Sequence, residues 1–331
     1  MTEPHAPSFV SAGTATPVDI FVLENETCLS PEARALHLET RRRKEAEVYH
    51  HHACTWYSRW FDAGRWLRIV LKLTGLTRWA ERNMLAIDVH SHVFTFDDLP
   101  ESFHGFRIMH LSDLHIDAHP GLASAVAVAL REFDADVCLI TGDYRFGVIE
   151  SSGSLNQALA TVVRNIRTQA GAIGVMGNHD TTEDADTLTD LGVRVLLNES
   201  VEIRRNGESL WVSGVDESRD FKCHDLDRAL SATPNDAFSI LLCHHPDLCE
   251  EAARRGVDLY LCGHTHGGQF CFPVVGPVVT KTDVPRRFVS GKWRYEEMTG
   301  YTSRGLGVSG ALARMNCPPE IALIELCQTG K

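Results

Sequence analysis

The chain has 331 residues, of which 44% are hydrophobic and 23% are charged, and its formal net charge at pH 7 is −12. This composition is typical of a soluble globular protein. The net acidity argues against a nucleic-acid partner, because sequence-independent binding needs many cations to displace counterions. The ten cysteines are scattered without a C-x-x-C pair, which predicts reduced thiols in a cytoplasmic protein.

Residues 1–85 are predicted to form an N-terminal helical extension. The first part, up to about residue 30, is rich in Pro, Ser, Thr and Ala, and we expect its start to be poorly ordered. Its start has no basic region followed by an apolar region, so no secretory signal is expected. A helix is predicted from Pro31, because Ser30 suits the N-cap position and proline suits the first helical position.

A second, amphipathic helix is predicted over residues 56–79. Trp56, Trp60 and Leu67 share one face, and basic side chains occupy the opposite face. Such a helix either packs on the catalytic domain or lies on an anionic membrane surface, and the sequence leaves both interpretations open. No apolar run reaches the ~18 residues of a membrane-spanning helix.

Residues 86–331 are predicted to form the catalytic domain, because apolar strands here alternate with helices. A hairpin is expected to turn at Asn206-Gly207, a dipeptide that favours two-residue β-turns. The alternation predicts a layered α/β domain with two sheets. The predicted strands are 106–112, 136–142, 172–177, 238–243 and 257–262, and the main predicted helices are 121–133 and 155–169.

Polar side chains that can bind metals follow five of these strands. The sequences at the strand ends are DLH (113–115), GD (142–143), GNHD (177–180), HHP (244–246) and GHTH (263–266). Ligands of open α/β folds lie beyond the carboxyl ends of the strands. Five such ends from one sheet are therefore expected to converge on a single site. Gly142, Gly177 and Gly263 would let the backbone turn sharply there and approach a ligand closely.

The collected donors are oxygen atoms and imidazoles, without a thiolate. Such a set suits Mn, Fe, Zn or Ni rather than a structural zinc site built on cysteines. Seven donors are too many for one tetrahedral ion, and they suit two ions that share a carboxylate. The sequence therefore predicts a dinuclear metal centre.

These motifs, in this order, resemble those of the calcineurin-like metallophosphoesterases, over about residues 86–331. The stretches GHTHGGQFCFP and SRGLGVSGALARMNCPPEIALIEL look like the branch that contains YkuE-like phosphodiesterases and a membrane-associated UDP-diacylglucosamine hydrolase. The resemblance implies an α/β fold in which a two-sheet β-sandwich is flanked by helices.

The resemblance also implies a role for each motif residue. Asp113, His115 and His266 would hold the first metal ion. Asn178, His244 and His264 would hold the second, and Asp143 would bridge the two. Manganese is the expected metal, with Fe, Zn, Ni or Mg as alternatives, and a metal-bridging hydroxide would attack phosphorus. His179 would donate a proton or hydrogen bond to the leaving or non-bridging oxygen, and Asp180 would hold it.

Three further residues are predicted to contact substrate. In the HHP motif the family pattern assigns the ligand role to His244, which would place His245 near the pocket rim. Family members often carry a second aspartate in G-D-x-x-D, whereas this chain has Tyr144 and Arg145 directly after Asp143. Arg145 is expected to contact a substrate phosphate, because a guanidinium suits bidentate phosphate binding, and the alternative is an ordinary surface arginine.

The predicted activity is metal-dependent hydrolysis of a phosphodiester or pyrophosphate bond, with a lipid-linked nucleotide such as UDP-diacylglucosamine as one candidate substrate. The protein is expected to be cytoplasmic, with peripheral contact to the inner membrane through residues 56–79. One alternative is a catalytically silent scaffold on the same fold. Another starts from the H-x-H in LAIDVHSHVF (85–94), which is how metal-dependent amidohydrolases begin their barrel.

Overall fold

The computed structural model describes residues 20–22, 29–54, 69, 71–147, 153–272, 274, 276–277, 280 and 282–330. The start of the chain and most of the helix predicted over 56–79 lie outside these residues. The described α-helices are α1 (Pro31–Cys54), α2 (Thr77–Leu85), α3 (Leu122–Leu130), α4 (Gly153–Val163), α5 (Thr182–Asp190), α6 (Leu226–Leu230) and α7 (Cys249–Arg254). In these parts of the chain, no helix is both long and apolar enough to cross a bilayer.

The described strands form two main sheets, which confirms the predicted two-sheet α/β fold. The strands are β1 (Ile20–Val22), β2 (Asp88–Phe96), β3 (Phe106–Leu111), β4 (Val137–Ile140), β5 (Ala172–Gly174), β6 (Val193–Val195), β7 (Glu199–Arg205), β8 (Glu208–Gly214), β9 (Ser239–Leu242), β10 (Leu259–Cys262), β11 (Cys271–Phe272), β12 (Gly276–Pro277), β13 (Gly291–Tyr295), β14 (Met298–Thr302) and β15 (Glu320–Gln328). One sheet has the order β2-β15-β3-β4-β5-β6 and the other β1-β7-β8-β9-β10-β14-β13, while β11 and β12 form a separate ribbon.

The two sheets pack face to face around one apolar layer. Ile108, Leu139 and Ile173 of the six-stranded sheet meet Val212, Ile240 and other side chains of the seven-stranded sheet in a single buried cluster. A second cluster packs α3, α4 and α5 on the outer face of the six-stranded sheet. A third packs α6 and α7 on the outer face of the seven-stranded sheet. Helix, sheet, sheet and helix therefore form four layers.

Each of the two main sheets contains a set of parallel strands. Strands β3 to β6 are parallel to one another, and β8, β9, β10 and β14 are likewise parallel.

Two predicted local features are confirmed. The β7–β8 hairpin turns at Asn206 (φ 51°) and Gly207 (φ 86°), and Ser30 caps α1 by accepting the N–H of Ala33 at 3.2 Å.

Asp258 lies just before β10, and its carboxyl group is half-buried. We expect it to make the free energy of unfolding depend on pH. Its Oδ2 accepts the N–H of Ser239 at 2.7 Å. Burial raises the pKa of Asp258 to about 7, and the neighbouring Asp98 adds to the increase. An unfolded aspartate titrates near pH ~3.9. The folded chain therefore keeps a proton in the interval between these values, and this contribution to stability is full below the unfolded pKa and is lost as the pH rises through 7.

The substitution Asp258→Asn removes the charge and keeps an oxygen that can accept the Ser239 N–H. We expect the variant to be more stable than the wild type at pH 8 by about 1–2 kcal/mol, after allowing for partial exposure, and the gain to shrink at pH 5. Urea unfolding at both pH values measures this. Exposed Asp236 supplies the control Asp236→Asn, and a wild type that is more stable than Asp258→Asn at pH 8 would contradict the prediction.

Candidate metal centre

All five predicted strand ends meet on one side of the sandwich. The prediction that they come from one sheet is wrong, because β3, β4 and β5 belong to the six-stranded sheet whereas β9 and β10 belong to the seven-stranded sheet. Face-to-face packing brings the two sets of carboxyl ends together. Backbone hydrogen bonds join neighbouring loops within each sheet, Gly263 N–H to His244 O at 3.0 Å and Asp113 N–H to Gly142 O at 2.9 Å. Between the sheets, the backbone N–H of His264 donates to Asp113 Oδ2 at 2.9 Å.

One group of side chains lies beyond β3 and receives a histidine from the loop after β10. His266 Nε2 is 3.3 Å from Asp113 Oδ1 and 3.3 Å from His115 Nε2. His115 Nε2 is in turn 3.4 Å from Asp143 Oδ2. These four residues are those predicted to surround the first ion, and all are buried.

A second group lies beyond β9 and shares the same carboxylate. His244 Nε2 is 3.3 Å from Asp143 Oδ2, 3.2 Å from Asn178 Oδ1 and 3.3 Å from His264 Nδ1. Asp143 Oδ2 thus faces His115 on one side and His244 on the other. This is the position that a bridging carboxylate would occupy between two ions.

The chemistry of these donors fits a pair of divalent cations. Two ligands that each lie about 2.0–2.2 Å from one ion are separated by roughly 3–3.5 Å, which is the spacing found here. His115 Nδ1 lies 2.6 Å from Arg145 O, and His244 Nδ1 lies 2.7 Å from Thr141 O. Each ring therefore donates its Nδ1–H to a carbonyl and turns an Nε2 lone pair toward the cluster, as metal-binding histidines do.

The buried charges of the cluster favour the same interpretation. Burial opposes the charging of His244, but Asp143 and Asp113 raise its pKa to about 10. Burial raises the pKa of Asp113, and Asp143 contributes to the increase. The carboxylates of Asp113 and Asp143 thus favour positive charge at the position of His244. A divalent cation bound among these side chains would supply that positive charge, since metal ions compete with protons for the same ligand atoms.

The backbone at the predicted ligands is strained. Twelve described non-glycine residues have positive φ, and five of them are predicted ligands: Asp113, His115, Asp143, His264 and His266. Such conformations cost about 1–3 kcal/mol each and persist where the surrounding structure enforces them for function. The strain turns successive side chains toward the site in loops that lie directly beyond the strands.

All three predicted glycines are required by close approach, and a Cβ built on Gly142 would lie 2.5 Å from the backbone nitrogen of Gly177. A Cβ built on Gly263 would lie 1.8 Å from Ser112 Oγ, and one on Gly177 would lie 2.2 Å from Asp143 Oδ1. Either contact is shorter than van der Waals distances allow. Ser112 Oγ in turn donates to Asp113 Oδ2 at 2.7 Å. These glycines leave the space in which Asp113 and Asp143 are held.

His179 lies at the cluster, but Asp180 does not hold its ring as we predicted. His179 Nδ1 lies 2.9 Å from Phe146 O. The backbone N–H of His179 donates to Asp143 Oδ1 at 2.9 Å. The Asp180 carboxylate instead accepts the backbone N–H groups of Asp143, Tyr144 and Gly177 at 2.7–2.8 Å. Asp180 therefore ties the loop after β4 to the loop after β5.

The structure does not place Tyr144 or Arg145 where a substrate could reach them. Tyr144 is buried in the apolar layer under α3 and α4. The Arg145 guanidinium is buried and lies 3.4 Å from Asp184 Oδ2 at the start of α5. Both the substrate-contact prediction and the surface alternative for Arg145 are therefore wrong in this structure. What Arg145 does supply is its backbone carbonyl, which orients His115.

His245 is buried rather than near the rim of the pocket, which corrects our prediction. Its ring centroid is 3.9 Å from that of His264, and its Nε2 is 2.8 Å from Glu217 Oε1. Burial, followed by the neighbouring His244, lowers the pKa of His245 well below its usual value. His245 therefore supports His264 from behind as a neutral ring.

Sequence reasoning missed the loop after β8, which forms part of this site. Asp220 Oδ2 accepts the Asn178 side-chain N–H at 2.9 Å, and Glu217 contacts His245. The signal was present in VSGVDESRD (212–220), where an apolar strand again ends in glycine and acidic residues follow. This is a sixth strand end of the same kind as the five that were noted.

The site opens toward solvent on the side of the second group. Asn178, His179 and His264 are partly exposed, and Asp220 is exposed, whereas the first group is buried. A substrate would therefore approach past Asn178 and His179.

The amidohydrolase alternative is excluded by the two-sheet architecture. Its His90 and His92 lie on β2, where His92 Nε2 is 2.9 Å from the Tyr301 hydroxyl.

A pair of histidine substitutions distinguishes the roles of His244 and His245. We expect His244→Ala to lose the second ion, because His244 Nε2 faces both Asp143 and Asn178. His245→Ala is expected to keep both ions and to lose about 1–3 kcal/mol of stability, because it empties a buried position. Elemental analysis after gel filtration measures the metal content. Equal metal loss in both variants would overturn this assignment.

Comparison with known proteins places the chain in a family. The profile described as calcineurin-like phosphoesterase matches residues 106–268. The uncharacterized metallophosphoesterase YkuE of Bacillus subtilis is 28% identical over 265 residues, which cover 77% of this chain and 90% of that protein. The phosphodiesterase YaeI of Escherichia coli is 31% identical over 232 residues, which cover 67% of this chain and 82% of that protein.

Among solved structures, the Haemophilus influenzae NAD nucleotidase NadN matches with a TM-score of 0.40 and 15% identity, over 61% of this chain and 45% of that chain. The sequence matches show that the chain belongs to the calcineurin-like phosphoesterase family. It is a metal-dependent phosphoester hydrolase. The family and the enzyme class predicted from the motifs are thus confirmed, and the silent scaffold is not favoured.

Proposed function

We propose that the protein hydrolyses a phosphodiester or pyrophosphate bond at a dinuclear metal centre. Asp113, His115 and His266 hold one ion, while Asn178, His244 and His264 hold the other. The observation that carries the proposal is the position of Asp143, whose Oδ2 lies 3.4 Å from His115 Nε2 and 3.3 Å from His244 Nε2. A carboxylate oxygen between two imidazole lone pairs is explained by cations on both sides of it.

The side chains have separate tasks in this reaction. Divalent ions at such a centre supply Lewis acidity toward a phosphoryl oxygen and a nucleophile from water at neutral pH. The backbone carbonyls of Thr141 and Arg145 fix the rings of His244 and His115. The His179 ring is held through Nδ1 by Phe146 O and is partly exposed. Its Nε2 is thereby left to hold or give a proton at a phosphate-ester oxygen.

Manganese is the metal that we propose, on the basis of the mixed carboxylate, amide and imidazole donors.

The first test is hydrolysis of bis-(p-nitrophenyl) phosphate by metal-stripped protein with and without added Mn²⁺, in parallel with p-nitrophenyl phosphate. Manganese-restored turnover of the diester above that of the monoester supports the proposal. Turnover of the monoester alone would contradict the diester assignment, and equal turnover without metal would contradict the metal centre.

A lipid-linked nucleotide such as UDP-diacylglucosamine is the finer substrate that we propose. Its support is the resemblance of the 263–273 and 303–326 stretches to the branch that contains such a hydrolase, and the relative YaeI is called a phosphodiesterase. The direct test is cleavage of the pyrophosphate bond of this substrate by the manganese-loaded protein, followed by mass spectrometry. Turnover of bis-(p-nitrophenyl) phosphate without cleavage of UDP-diacylglucosamine would contradict it.

Peripheral contact with the cytoplasmic face of the inner membrane goes with that substrate. Most of residues 56–79 lie outside the described residues, but Leu73 is 82% exposed and directly follows the exposed, basic Lys72. Leu73→Glu should reduce co-sedimentation with anionic liposomes, because an exposed apolar side chain beside cations favours such a surface. Leu36→Glu, at a position 65% exposed on α1, is the matched control. Equal co-sedimentation of both variants and the wild type would argue against this contact.

A further inference from the structure

Arg41 is a buried arginine on α1, within the region predicted to be an extension of the catalytic domain. Its side chain is 0% exposed. Its Nη1 forms an ion pair with Asp216, its Nε donates to Glu45 Oε1 at 2.8 Å, and its Cζ lies 4.9 Å from the centre of the Phe221 ring. A charge buried in this way is costly unless every part of it is paired. The surrounding structure is therefore arranged around the guanidinium.

The remaining nitrogen of Arg41 contacts the loop that carries Asn178 and His179. Arg41 Nη2 lies 2.8 Å from Asp180 O and 3.3 Å from Gly177 O. These two carbonyls lie at the two ends of the Gly177–Asp180 loop. Because the guanidinium is planar and rigid, one group that donates to both carbonyls fixes the separation of the loop ends. Asn178 and His179 lie between those ends.

Arg41 also joins this loop to the loop after β8. Asp216, its ion-pair partner, begins the segment that continues through Glu217 to Asp220. Asp220 accepts the side-chain N–H of Asn178 at 2.9 Å, and Glu217 lies against His245. The Asn178 side chain is therefore placed by two loops, and the same guanidinium contacts both of them.

We propose that Arg41 is a positioning residue for the second metal site and for His179, and that α1 is accordingly part of the catalytic unit. The proposal rests on the function proposed above for Asn178 and His179. Arg41 acts through the Gly177–Asp180 backbone and does not touch the substrate. Loss of the guanidinium would release the loop ends and leave Asn178 Oδ1 without a fixed position opposite His244.

Helix α1 has other contacts that dock it on the domain without touching this loop, and these supply a matched control. Arg34 Nη1 lies 2.8 Å from Glu199 Oε2, and its Nη2 lies 3.3 Å from Val195 O. Arg34→Met removes a docking ion pair of the same helix. It should lower the melting temperature without altering the metal site. A difference between Arg41 and Arg34 variants therefore separates positioning from docking.

The experiment compares full-length wild type, Arg41→Met, Arg41→Lys and Arg34→Met by Mn²⁺ binding and by hydrogen exchange of the metal-free chain. We expect Arg41→Met to weaken the second Mn²⁺ site about tenfold or more and to leave the first site unchanged. A loss of this size is usual when a group that orients a metal ligand is removed. Arg41→Lys keeps the charge beside Asp216 and cannot reach both carbonyls. It should fold and show the same selective loss.

Hydrogen exchange over residues 175–185 tests the same proposal without metal. Amides of the Gly177–Asp180 loop should exchange faster in both Arg41 variants and at the wild-type rate in Arg34→Met. A further variant, Arg41→Ala, tests rescue: added methylguanidinium should restore the protection and the second Mn²⁺ site. Wild-type protection and unchanged Mn²⁺ affinities in Arg41→Lys would overturn the proposal.

Failure of the proposed function would give a different pattern. If wild-type protein shows no Mn²⁺-dependent turnover, the function fails, while the exchange data still decide whether Arg41 holds the loop. If the wild type binds two ions and turns over, and all Arg41 variants do the same with a protected loop, only the inference about Arg41 fails.

Discussion

The substitution Asp143→Asn is expected to remove both metal ions and to lower turnover at least ~10³-fold, which corresponds to loss of several kcal/mol of transition-state stabilisation. An asparagine retains the size of the side chain and can still accept the His179 N–H. Its amide nitrogen would then lie where Asp143 Oδ2 faces the Nε2 atoms of His115 and His244 at 3.4 and 3.3 Å. An amide N–H between two imidazole lone pairs occupies the space that the cations require.

Metal content by elemental analysis, together with turnover of bis-(p-nitrophenyl) phosphate at saturating Mn²⁺, measures this effect. Asp134→Asn is a matched control, because Asp134 is exposed and pairs with Arg167 on the outside of the domain. The control should keep both ions and full activity. Two ions per chain in Asp143→Asn would show that Asp143 is not shared between them.

Substitution of His179 should separate catalysis from metal binding. His179→Ala is expected to keep both ions and to lower kcat about 10²–10⁴-fold, the usual contribution of a positioned proton donor. The His179 ring is held by Phe146 O, and its centroid lies 4.7 Å from that of His115. Its ring also lies with His115 and Asp143 in a group whose ligand atoms are within 4.8 Å of one another. Loss of one ion in His179→Ala would instead make it a metal ligand.

The leaving group shows which oxygen His179 serves. A nitrophenolate departs readily without a proton, whereas an alkoxide does not. If His179 protonates the leaving oxygen, His179→Ala should lose much more activity toward an alkyl phosphodiester than toward bis-(p-nitrophenyl) phosphate. Equal losses would place its hydrogen bond on a non-bridging oxygen. His104→Ala, at an exposed surface position, is the control and should retain the activity of the wild type on both substrates.

The donors of the site were readable from the sequence because each one follows a strand. Apolar runs such as VCLI and LYLC predict where strands end, and the residues just beyond them face the carboxyl edge of a sheet. The order Asp113, Asp143, Asn178, His244 and His264 could therefore be collected without a structure. The β7–β8 turn was readable for a similar local reason, because Asn206-Gly207 readily adopts positive φ.

The directions of neighbouring side chains were decided by the tertiary structure. Asp143 has a φ of 57°, which breaks the alternation that a strand would impose on the residues after it. Tyr144 consequently enters the core, and Arg145 turns toward Asp184 instead of the substrate. A left-handed residue that is not glycine is held by its surroundings, here by the Asp180 carboxylate, and no local pattern in the sequence reports this.

Contacts between distant parts of the chain were likewise outside the reach of sequence patterns. The site draws on strands from both sheets, which only the packing of the sandwich decides. Arg41 lies 136 residues before Gly177 and 139 before Asp180, in a basic run that looks like a solvated helix face. The sequence by itself determined the metal-binding chemistry, because that chemistry depends on residue types at strand ends. The tertiary structure decided which side chains hold those residues in place, because burial and long-range hydrogen bonds exist only in the folded chain.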